Sequence, residues 1–207
     1  MSSRREGDVE TPGLLLLPDE PVAVRLMNTI WADRAGVHDA LDSTGSASAW
    51  LGATMATSSA PLVVSPSELE RTRRLRDALR RLAAHVTSDE RPAAASATHD
   101  IDIALAEVNG IAAAGFTAPQ LRLRDTRLLR ETTTVGAPVP AALATIAANA
   151  VDLLTGLGSE QLRACPAPSC VLYFVKNHPR REWCSTACGN RARAARHYSR
   201  HHAAHTT

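Results

Sequence analysis

The four cysteines of this chain all lie in its last quarter, and they fall into two close pairs. Cys165 and Cys170 bracket the turn Pro-Ala-Pro-Ser, and Cys184 and Cys188 follow after thirteen further residues. Pairs at this spacing are typical of a tetrahedral zinc site, although two disulfides or free thiols would account for the same cysteines. Four thiolates would complete the coordination shell without the rival ligand His178. The sequence therefore predicts one structural Zn²⁺, with no open position for catalysis.

The residues around the cysteine pairs predict a treble-clef zinc finger. Residues 171–175 form a strongly strand-forming run, a turn follows at 177–180, and residues 181–183 return as the second strand. Ser185 can then cap a helix that carries the last cysteine. A unit of this size cannot bury enough apolar surface alone, so we expect it to depend on its metal for folding.

Charge is distributed unevenly along the chain. The formal net charge is +2, but from residue 161 onward eight Arg or Lys residues stand against a single acid, a net +7, which leaves −5 on residues 1–160. A basic tail on a mildly acidic body indicates contact with a polyanion. Four thiolates on Zn²⁺ carry a formal −2, so neutralising the site is an alternative role for the arginine nearest the metal. The predicted nucleic-acid contacts are Arg180, Arg181, Arg191, Arg193, Arg196 and Arg200.

The cysteine-free body predicts a mainly helical domain with one small β-hairpin, so the fold class is α+β. Only 3% of residues are aromatic, which requires a core of aliphatic side chains and favours helices packed through apolar stripes. A capping box at Ser65 and Glu68 marks the clearest helix start. The expected elements are a short strand at 14–17, a helix capped by Asp19, a loop at 33–47, helices at 47–57, 66–86, 100–113 and 140–157, a linker at 88–96, and hairpin strands at 120–125 and 128–134.

Periodicity assigns side chains of these elements to the core or to solvent. In the helix after the linker, Leu105 and Val108 belong to the predicted buried stripe. The arginines between residues 71 and 81 are interleaved with acidic residues, so we expect a solvated helix face rather than a nucleic-acid contact. In the hairpin, Leu121 and Leu123 alternate with arginines, which predicts one buried face and one wet face.

Three segments are expected along the chain: a disordered N-terminus at 1–13, a mainly helical domain at 14–158 and a zinc finger at 162–205. No run reaches the roughly 18 apolar residues of a membrane span, and no signal-peptide pattern is present, so we expect a cytoplasmic protein. The body has no G-x-S-x-G, no phosphate-binding glycine loop and no metal-ligand His/Glu pair, so we do not expect an enzyme. Asn28 is a candidate polar group for a small-molecule effector, with helix packing as the alternative.

The string Trp183-Cys-Ser-Thr-Ala-Cys-Gly-Asn-Arg191 resembles the signature of the CGNR zinc finger family. The likeness extends through Ala192-Arg-Ala-Ala-Arg-His197 and back to the first cysteine pair. In that family the finger follows an N-terminal ABATE domain, and the body resembles this domain at residues 24–29, at 75–79 and just before the finger. The resemblance implies a bacterial, stress-induced transcription regulator whose zinc finger binds DNA.

The leading hypothesis is therefore a zinc-dependent DNA-binding regulator. Its finger would contact double-stranded DNA, and its body would sense an effector or form a homodimer. The main alternative is an interaction module whose finger docks on an acidic partner protein. RNA binding is a third hypothesis, which is weakened because only Tyr173 and Tyr198 offer aromatic platforms in the tail.

Overall fold

The computed structural model describes residues 16–55, 62–114 and 116–204. Within those ranges a mainly helical body with two strand pairs precedes a cysteine-bearing finger with a third strand pair, which confirms the predicted α+β class. The elements are α1 (Val22–Met27), β1 (Ile30–Ala32), β2 (Val37–Asp39), α2 (Thr44–Thr54), α3 (Pro66–Thr87), a 3-10 turn (Pro92–Ala94), α4 (Ile101–Ala113), β3 (Phe116–Arg124), β4 (Arg127–Val135), α5 (Pro138–Leu154), α6 (Gly156–Gln161), β5 (Leu162–Ala164), β6 (Tyr173–Val175) and α7 (Thr186–Ala204).

Helix α3 runs through the middle of the body and packs against α1, α4 and α5. Its start is the predicted capping box: Ser65 Oγ accepts from the Glu68 amide at 3.3 Å, and Glu68 Oε2 accepts from the Ser65 amide at 2.8 Å. The helix ends at Ser88, which adopts the left-handed conformation with φ 51°. Leu75 and Leu79 are fully buried, so α3 forms the wall against which the other helices pack.

Two arginines of α3 are buried, which corrects the predicted solvated face. Arg76 forms ion pairs with Asp39 at 2.6 Å and with Asp77 at 3.0 Å. Arg80 is only 1% exposed, and its guanidinium donates to backbone carbonyl oxygens from three other segments of the chain. The local pattern of acids could not reveal these acceptors, because they are distant in sequence.

A turn precedes α1 where a strand was predicted. The Glu20 amide donates to the Leu17 carbonyl at 3.1 Å, and Leu17 has φ 55°, so the described half of the predicted 14–17 strand does not form. The other half, like the predicted disordered N-terminus, lies outside the described residues. Pro21 rather than Asp19 precedes the first helical residue, and no side chain caps it. The predicted N-cap was therefore wrong, because the helix begins two residues later than its pattern indicated.

A β-hairpin occupies part of the loop that was predicted after the first helix. Helix α1 stops at Met27, and β1 pairs with β2 in antiparallel register, with Trp31 opposite His38. Gly36 has φ 136° in the turn, a conformation that favours glycine. Helix α2 then begins at its Ser43 cap, somewhat earlier than predicted. Strands of three residues are too short for alternation to be recognised in the sequence.

Helix α4 has nearly the predicted bounds, but its buried stripe differs. Ala104, Val108 and Ile111 are buried, whereas Leu105 is exposed. The start of the helix is fixed by Asp100, whose carboxylate accepts from two amides of the first turn. The predicted stripe was therefore rotated by about one residue, because several apolar positions fit a helical period almost equally well.

The long hairpin β3–β4 has the predicted turn, and Arg124 pairs with Arg127 across it. Its leucine face, however, is exposed: Leu121 and Leu123 lie in solvent, as does Leu128 opposite Leu123. The prediction of one buried face was wrong. The hairpin projects from the ends of α4 and α5 instead of lying on the helices.

The core of the body continues into the finger. One apolar cluster joins α1 to α5 and includes Leu162 of β5 and Tyr173 of β6. A second cluster surrounds the four cysteines and contains Phe174, with Trp31 of β1 packed against it. The finger is thus part of one packed unit with the body, and it is held in a fixed position.

Candidate metal centre and its arginine helix

The four cysteines converge on one point of the finger. Their sulfur atoms all lie within 4.8 Å of one another, and every one of the four residues is buried. The Sγ–Sγ distances among Cys170, Cys184 and Cys188 are 3.4 Å, 3.7 Å and 3.8 Å. Sulfur ligands about 2.3 Å from a tetrahedral zinc ion would lie about 3.8 Å apart, whereas a disulfide requires about 2.05 Å. The donor set therefore fits one Zn²⁺ and excludes the disulfide alternative.

Mutual contact makes the thiols of Cys165, Cys170 and Cys184 chemically unequal. Hydrogen bonding with Cys170 and Cys184 lowers the pKa of Cys165 to about 2, while the contact with Cys165 raises the pKa of Cys170 to about 12. The contact with Cys165 also raises the pKa of Cys184. Without a cation, these three thiols would thus favour a single thiolate among them. A Zn²⁺ ion supplies the charge that keeps all four as thiolates, and Cys165, Cys170, Cys184 and Cys188 would hold it.

The first cysteine pair lies in a knuckle between β5 and β6. The Cys165 amide donates to the Leu172 carbonyl at 3.0 Å, and the Cys170 amide donates to the Ala167 carbonyl at 3.1 Å. The partner of β6 is therefore β5, and the predicted return strand at 181–183 does not form. The sequence predicted residues 181–183 as the partner of residues 171–175, because a turn at 177–180 connects these two segments. The knuckle itself brings residues 162–164 closer to β6.

The second cysteine pair lies at the start of α7. The Ser185 hydroxyl accepts from the Cys188 amide at 3.3 Å, so the predicted capping role of Ser185 is confirmed. The Cys184 amide points to the Cys165 sulfur at 3.5 Å, which ties the two pairs together. Metal ligation would thus fix the direction in which α7 leaves the finger.

Arg91 connects the body to the knuckle. Its guanidinium donates to the carbonyls of Cys165 at 2.7 Å and Cys170 at 2.6 Å, and Asp89 holds it at 2.6 Å. Although burial raises the pKa of Asp89, hydrogen bonds from Arg91 and Tyr173 outweigh it and lower the pKa overall. The segment predicted as a linker is therefore an ordered clamp. Within this segment, the sequence indicates the contact only by the spacing of Asp89 and Arg91, which allows the two side chains to pair.

Asn28, the candidate effector contact, is a second connection between body and finger. Its side-chain amide donates to the Tyr173 carbonyl and accepts from the Tyr173 amide, both at 2.9 Å. Asn28 is buried, and these two bonds occupy both ends of its side chain. The position of Asn28 agrees with the alternative of a packing role, except that Asn28 packs against strand β6 of the finger and not against a helix.

Arg181, one of the predicted nucleic-acid contacts, is a third connection between body and finger. The guanidinium pairs with the buried carboxylate of Glu20 at 2.6 Å and donates to the carbonyls of Val175 at 3.0 Å and Cys184 at 3.1 Å. Glu20 also accepts from the Val175 amide at 2.9 Å. An arginine engaged with so many internal acceptors holds the finger to the body. It is poorly placed to leave for a phosphate.

The remaining predicted arginines lie on or near α7. Arg191 donates to the Cys188 sulfur at 3.1 Å, which fits the alternative of neutralising the thiolates. Arg193 and Arg196 are exposed, and each guanidinium stacks over the Trp183 ring, 5.7 Å and 5.8 Å from its centroid. Arg180 is exposed on the preceding turn, and Arg200 lies further along the α7 backbone, with its side chain outside the described residues.

Trp183 and Gly189 explain how the two stacked arginines are placed. A Cβ on Gly189 would lie 3.1 Å from the Trp183 ring, so glycine allows the indole to approach the helix closely. The guanidinium groups of Arg193 and Arg196 then pack against this ring. An open groove of about 1170 Å³ lies beside them, between the knuckle prolines Pro166 and Pro168 and α7.

None of the described helices is long and apolar enough to cross a membrane.

Comparison with known proteins agrees with this arrangement. Residues 20–157 match the ABATE family, whose description reads "Putative stress-induced transcription regulator", and residues 161–201 match the CGNR zinc finger. A comparison with curated proteins gave no match. The first match covers about two thirds of the chain, and the four clustered cysteines lie inside the second. The chain therefore belongs to the ABATE family and carries a zinc-binding CGNR finger at its C-terminal end.

Proposed function

We propose that this protein is a zinc-dependent DNA-binding transcription regulator, in which α7 contacts the phosphate backbone of duplex DNA. The observation that carries the proposal is the pair Arg193 and Arg196, exposed on α7 and stacked on Trp183. Stacking holds two long side chains in place before binding, which reduces the conformational entropy lost on contact with phosphate. Arg180 and Arg200 extend the same basic region in the sequence.

We propose fewer DNA contacts than the sequence predicts, because two of the six arginines have internal partners. Arg181 is bound to Glu20, and Arg191 is bound to a metal-ligating sulfur. The proposal therefore assigns phosphate contact to Arg180, Arg193, Arg196 and Arg200. Four such contacts are few for a specific complex, so two fingers presented by a dimer would be needed for high affinity.

A salt titration of DNA binding tests the proposal. Each phosphate contact contributes a slope of about −0.9 to the dependence of log K on log salt concentration. We expect the double variant Arg193→Ala and Arg196→Ala to bind duplex DNA more weakly and to reduce the slope by about 2 per finger. Arg34→Ala with Arg74→Ala, an equal charge change at two exposed sites of the body, serves as the matched control. Wild-type affinity that does not depend on salt would rule out the proposal.

A second candidate function is docking of an acidic partner protein, and the groove beside α7 favours it. Pro166, Pro168, Trp183, Ala192 and Ala195 give this groove a largely apolar lining, with arginines at its rim. Apolar surface of this kind suits a protein partner better than a phosphate backbone. Two results distinguish the functions. Docking of a protein would lose affinity when the groove lining is altered by the uncharged change Ala195→Gln, which keeps the arginines, and it would persist after nuclease treatment.

We further infer that the metal supports structure and takes no part in catalysis. Four buried cysteines leave no coordination position for a substrate or water. Reduced thiols of this kind are typical of the cytoplasm, where we expect the protein to function. Asn28, the candidate effector contact, is occupied by Tyr173, so an effector would have to bind elsewhere. Assay of the zinc-loaded chain for binding without turnover of nucleic acid tests the inference.

A further inference from the structure

Asn190 lies in the second turn of α7, and its carboxamide contacts Arg193. The Arg193 guanidinium donates to Asn190 Oδ1 at 2.6 Å, and Asn190 is exposed. Because only the oxygen of a carboxamide accepts a hydrogen bond, this contact determines which end of the side chain faces Arg193. It uses one lone pair of the oxygen and neither hydrogen of the nitrogen. The contact therefore leaves Asn190 with an acceptor and two donors for a ligand.

Arg193 is in turn placed by the indole of Trp183. Its guanidinium carbon lies 5.7 Å from the centroid of the Trp183 ring. A Cβ on Gly189 would lie 3.1 Å from that ring and 3.5 Å from Arg193 Nη1, so glycine makes room for both side chains. Contacts thus run from Trp183 through Arg193 to Asn190. They restrict an exposed asparagine before it meets a ligand, which reduces the entropy that binding would otherwise cost.

Asn190 lies on the side of α7 that faces away from the finger. Cys188 and Ala192 are buried on the opposite side of the helix. Ala187 and Ala194 share the outward side with Asn190, at helical spacings of three and four, and all three residues are exposed. Both neighbours are small, so a bulky ligand can approach the asparagine. A partner that binds along this side of α7 therefore meets Asn190 directly.

The arrangement of α7 fits the major groove of duplex DNA. The groove admits an α-helix, and the first turns of a recognition helix contact the base edges. Arg193 and Arg196 lie on the flank of α7, where they can reach phosphates while Asn190 faces the bases. An asparagine carboxamide pairs with adenine through two hydrogen bonds, because its oxygen accepts from N6 and its nitrogen donates to N7. Asn190 can form this pair and keep its bond with Arg193, since its oxygen has a second lone pair.

We propose that Asn190 reads an adenine and thereby gives this finger its sequence preference. The inference rests on the proposed function, because α7 must bind duplex DNA, and it deepens that function by assigning two roles. Arg193 and Arg196 supply affinity for any sequence through the phosphates, and Asn190 distinguishes one base pair from the others. A contact of two hydrogen bonds disfavours the wrong base about five- to 150-fold. Phosphate contacts alone carry no such preference.

Selection from a pool of random duplexes by the zinc-loaded full chain, followed by titration of single sites, tests the proposal. We expect wild type to select adenine at one position, and a G·C pair there to weaken binding about fivefold or more. Asn190→Ala should lose this preference and keep the salt dependence of wild type, since no phosphate contact is removed. Asn109→Ala, the same change at an exposed position of α4, is the control and should keep the preference.

The variant Asn190→Asp separates base contact from support of Arg193. Aspartate still accepts from the guanidinium, but it has no donor for adenine N7 and can accept from cytosine N4. We expect the preference to move from adenine to cytosine, while the added negative charge weakens binding to every sequence. Each variant should retain one zinc ion per chain and the melting temperature of wild type, since Asn190 is exposed.

The outcomes separate this inference from the proposed function. An alanine or aspartate variant that still selects adenine would mean that Asn190 only holds Arg193, and the inference would be wrong. Wild type that binds duplex DNA without any sequence preference would overturn the inference alone. Wild type that does not bind duplex DNA at low salt would overturn the proposed function, and the inference with it.

Discussion

Asn28, the residue that caps the end of α1, and Tyr173 in β6 exchange two hydrogen bonds of 2.9 Å across 145 residues of chain. The Asn28 side chain thereby pairs with a strand as a neighbouring backbone would, offering a donor and an acceptor to the same residue. Both residues are buried, so water cannot replace either bond. These hydrogen bonds connect the end of the first helix of the body to the strand that follows the metal knuckle.

Replacing Asn28 with leucine should destabilise the whole protein. The substitution leaves the Tyr173 amide and carbonyl without partners, and each buried unpaired group costs about 1–3 kcal/mol. We expect the free energy of unfolding in urea to fall by roughly 2–5 kcal/mol for the zinc-loaded chain. Asn109→Leu, at an exposed position of α4, is the control and should change it by less than about 1 kcal/mol. Equal stability of the two variants would contradict the role given to Asn28.

Removal of zinc should weaken the body as well as the finger. The apolar cluster of the body includes Leu162 and Tyr173, so loosening the knuckle removes part of that core. We expect a strong chelator to release one zinc ion per chain and to lower the melting temperature recorded by the far-ultraviolet circular dichroism of the helices. A helical signal that melts at the same temperature with and without metal would show that body and finger are uncoupled.

Lysine should not substitute for Arg80. The guanidinium donates to the carbonyls of Met27 at 3.0 Å, Ala94 at 3.0 Å and Val171 at 3.3 Å, which lie in separate segments. An ammonium group lacks this planar fork and must leave at least one buried carbonyl unpaired. We expect Arg80→Lys to lower the free energy of unfolding by about 1–3 kcal/mol. Arg74→Lys, exposed on the same helix, should have little effect in the same urea titration.

The contribution of Asp89 should depend on pH in a defined direction. Its pKa is lowered in the folded protein, so its carboxylate stabilises the fold above the unfolded pKa of about 4 and loses that effect as pH falls through the lower folded value. We expect Asp89→Asn to be less stable than wild type by about 1–3 kcal/mol at pH 7. The difference should stay constant down to about pH 5 and shrink below about pH 4.

The comparison with the variant is what makes the Asp89 experiment specific. Acid also protonates the cysteines and releases zinc from both proteins, so the absolute stability of each will fall. Only the difference between them reports Asp89. A difference that grows as the solution becomes more acidic would mean that the carboxylate is not the group that stabilises the clamp around Arg91.

Features that depend on a few neighbouring residues were predictable from the sequence. The capping box of Ser65 and Glu68, the turn of the β3–β4 hairpin and the cysteine spacing each act within one local segment. Ser185 likewise caps the helix that carries Cys188. Each of these signals is stereochemical, so it does not depend on what the rest of the chain does.

Features that depend on distant partners were not predictable. Arg181 has the charge and position of a DNA contact, and only the fold shows that Glu20, 161 residues away, binds it. Arg80 looked solvated because the carbonyls that accept from it belong to other segments. Leu121 and Leu123 alternate as a half-buried strand should, yet the fold provides nothing within the described body to cover them. A pattern of apolar residues identifies the apolar face of a strand, but it cannot show which part of the protein, if any, covers that face.

The placement of Tyr173 in the core of the body limits how this protein can diversify. A recombination event that transferred the finger alone would deliver a fragment without Arg91 for its knuckle carbonyls and without Asn28 for its strand. The receiving protein would have to supply both contacts by chance. Body and finger are therefore expected to be inherited together, because the finger transferred alone would lack the contacts that hold its knuckle and its strand.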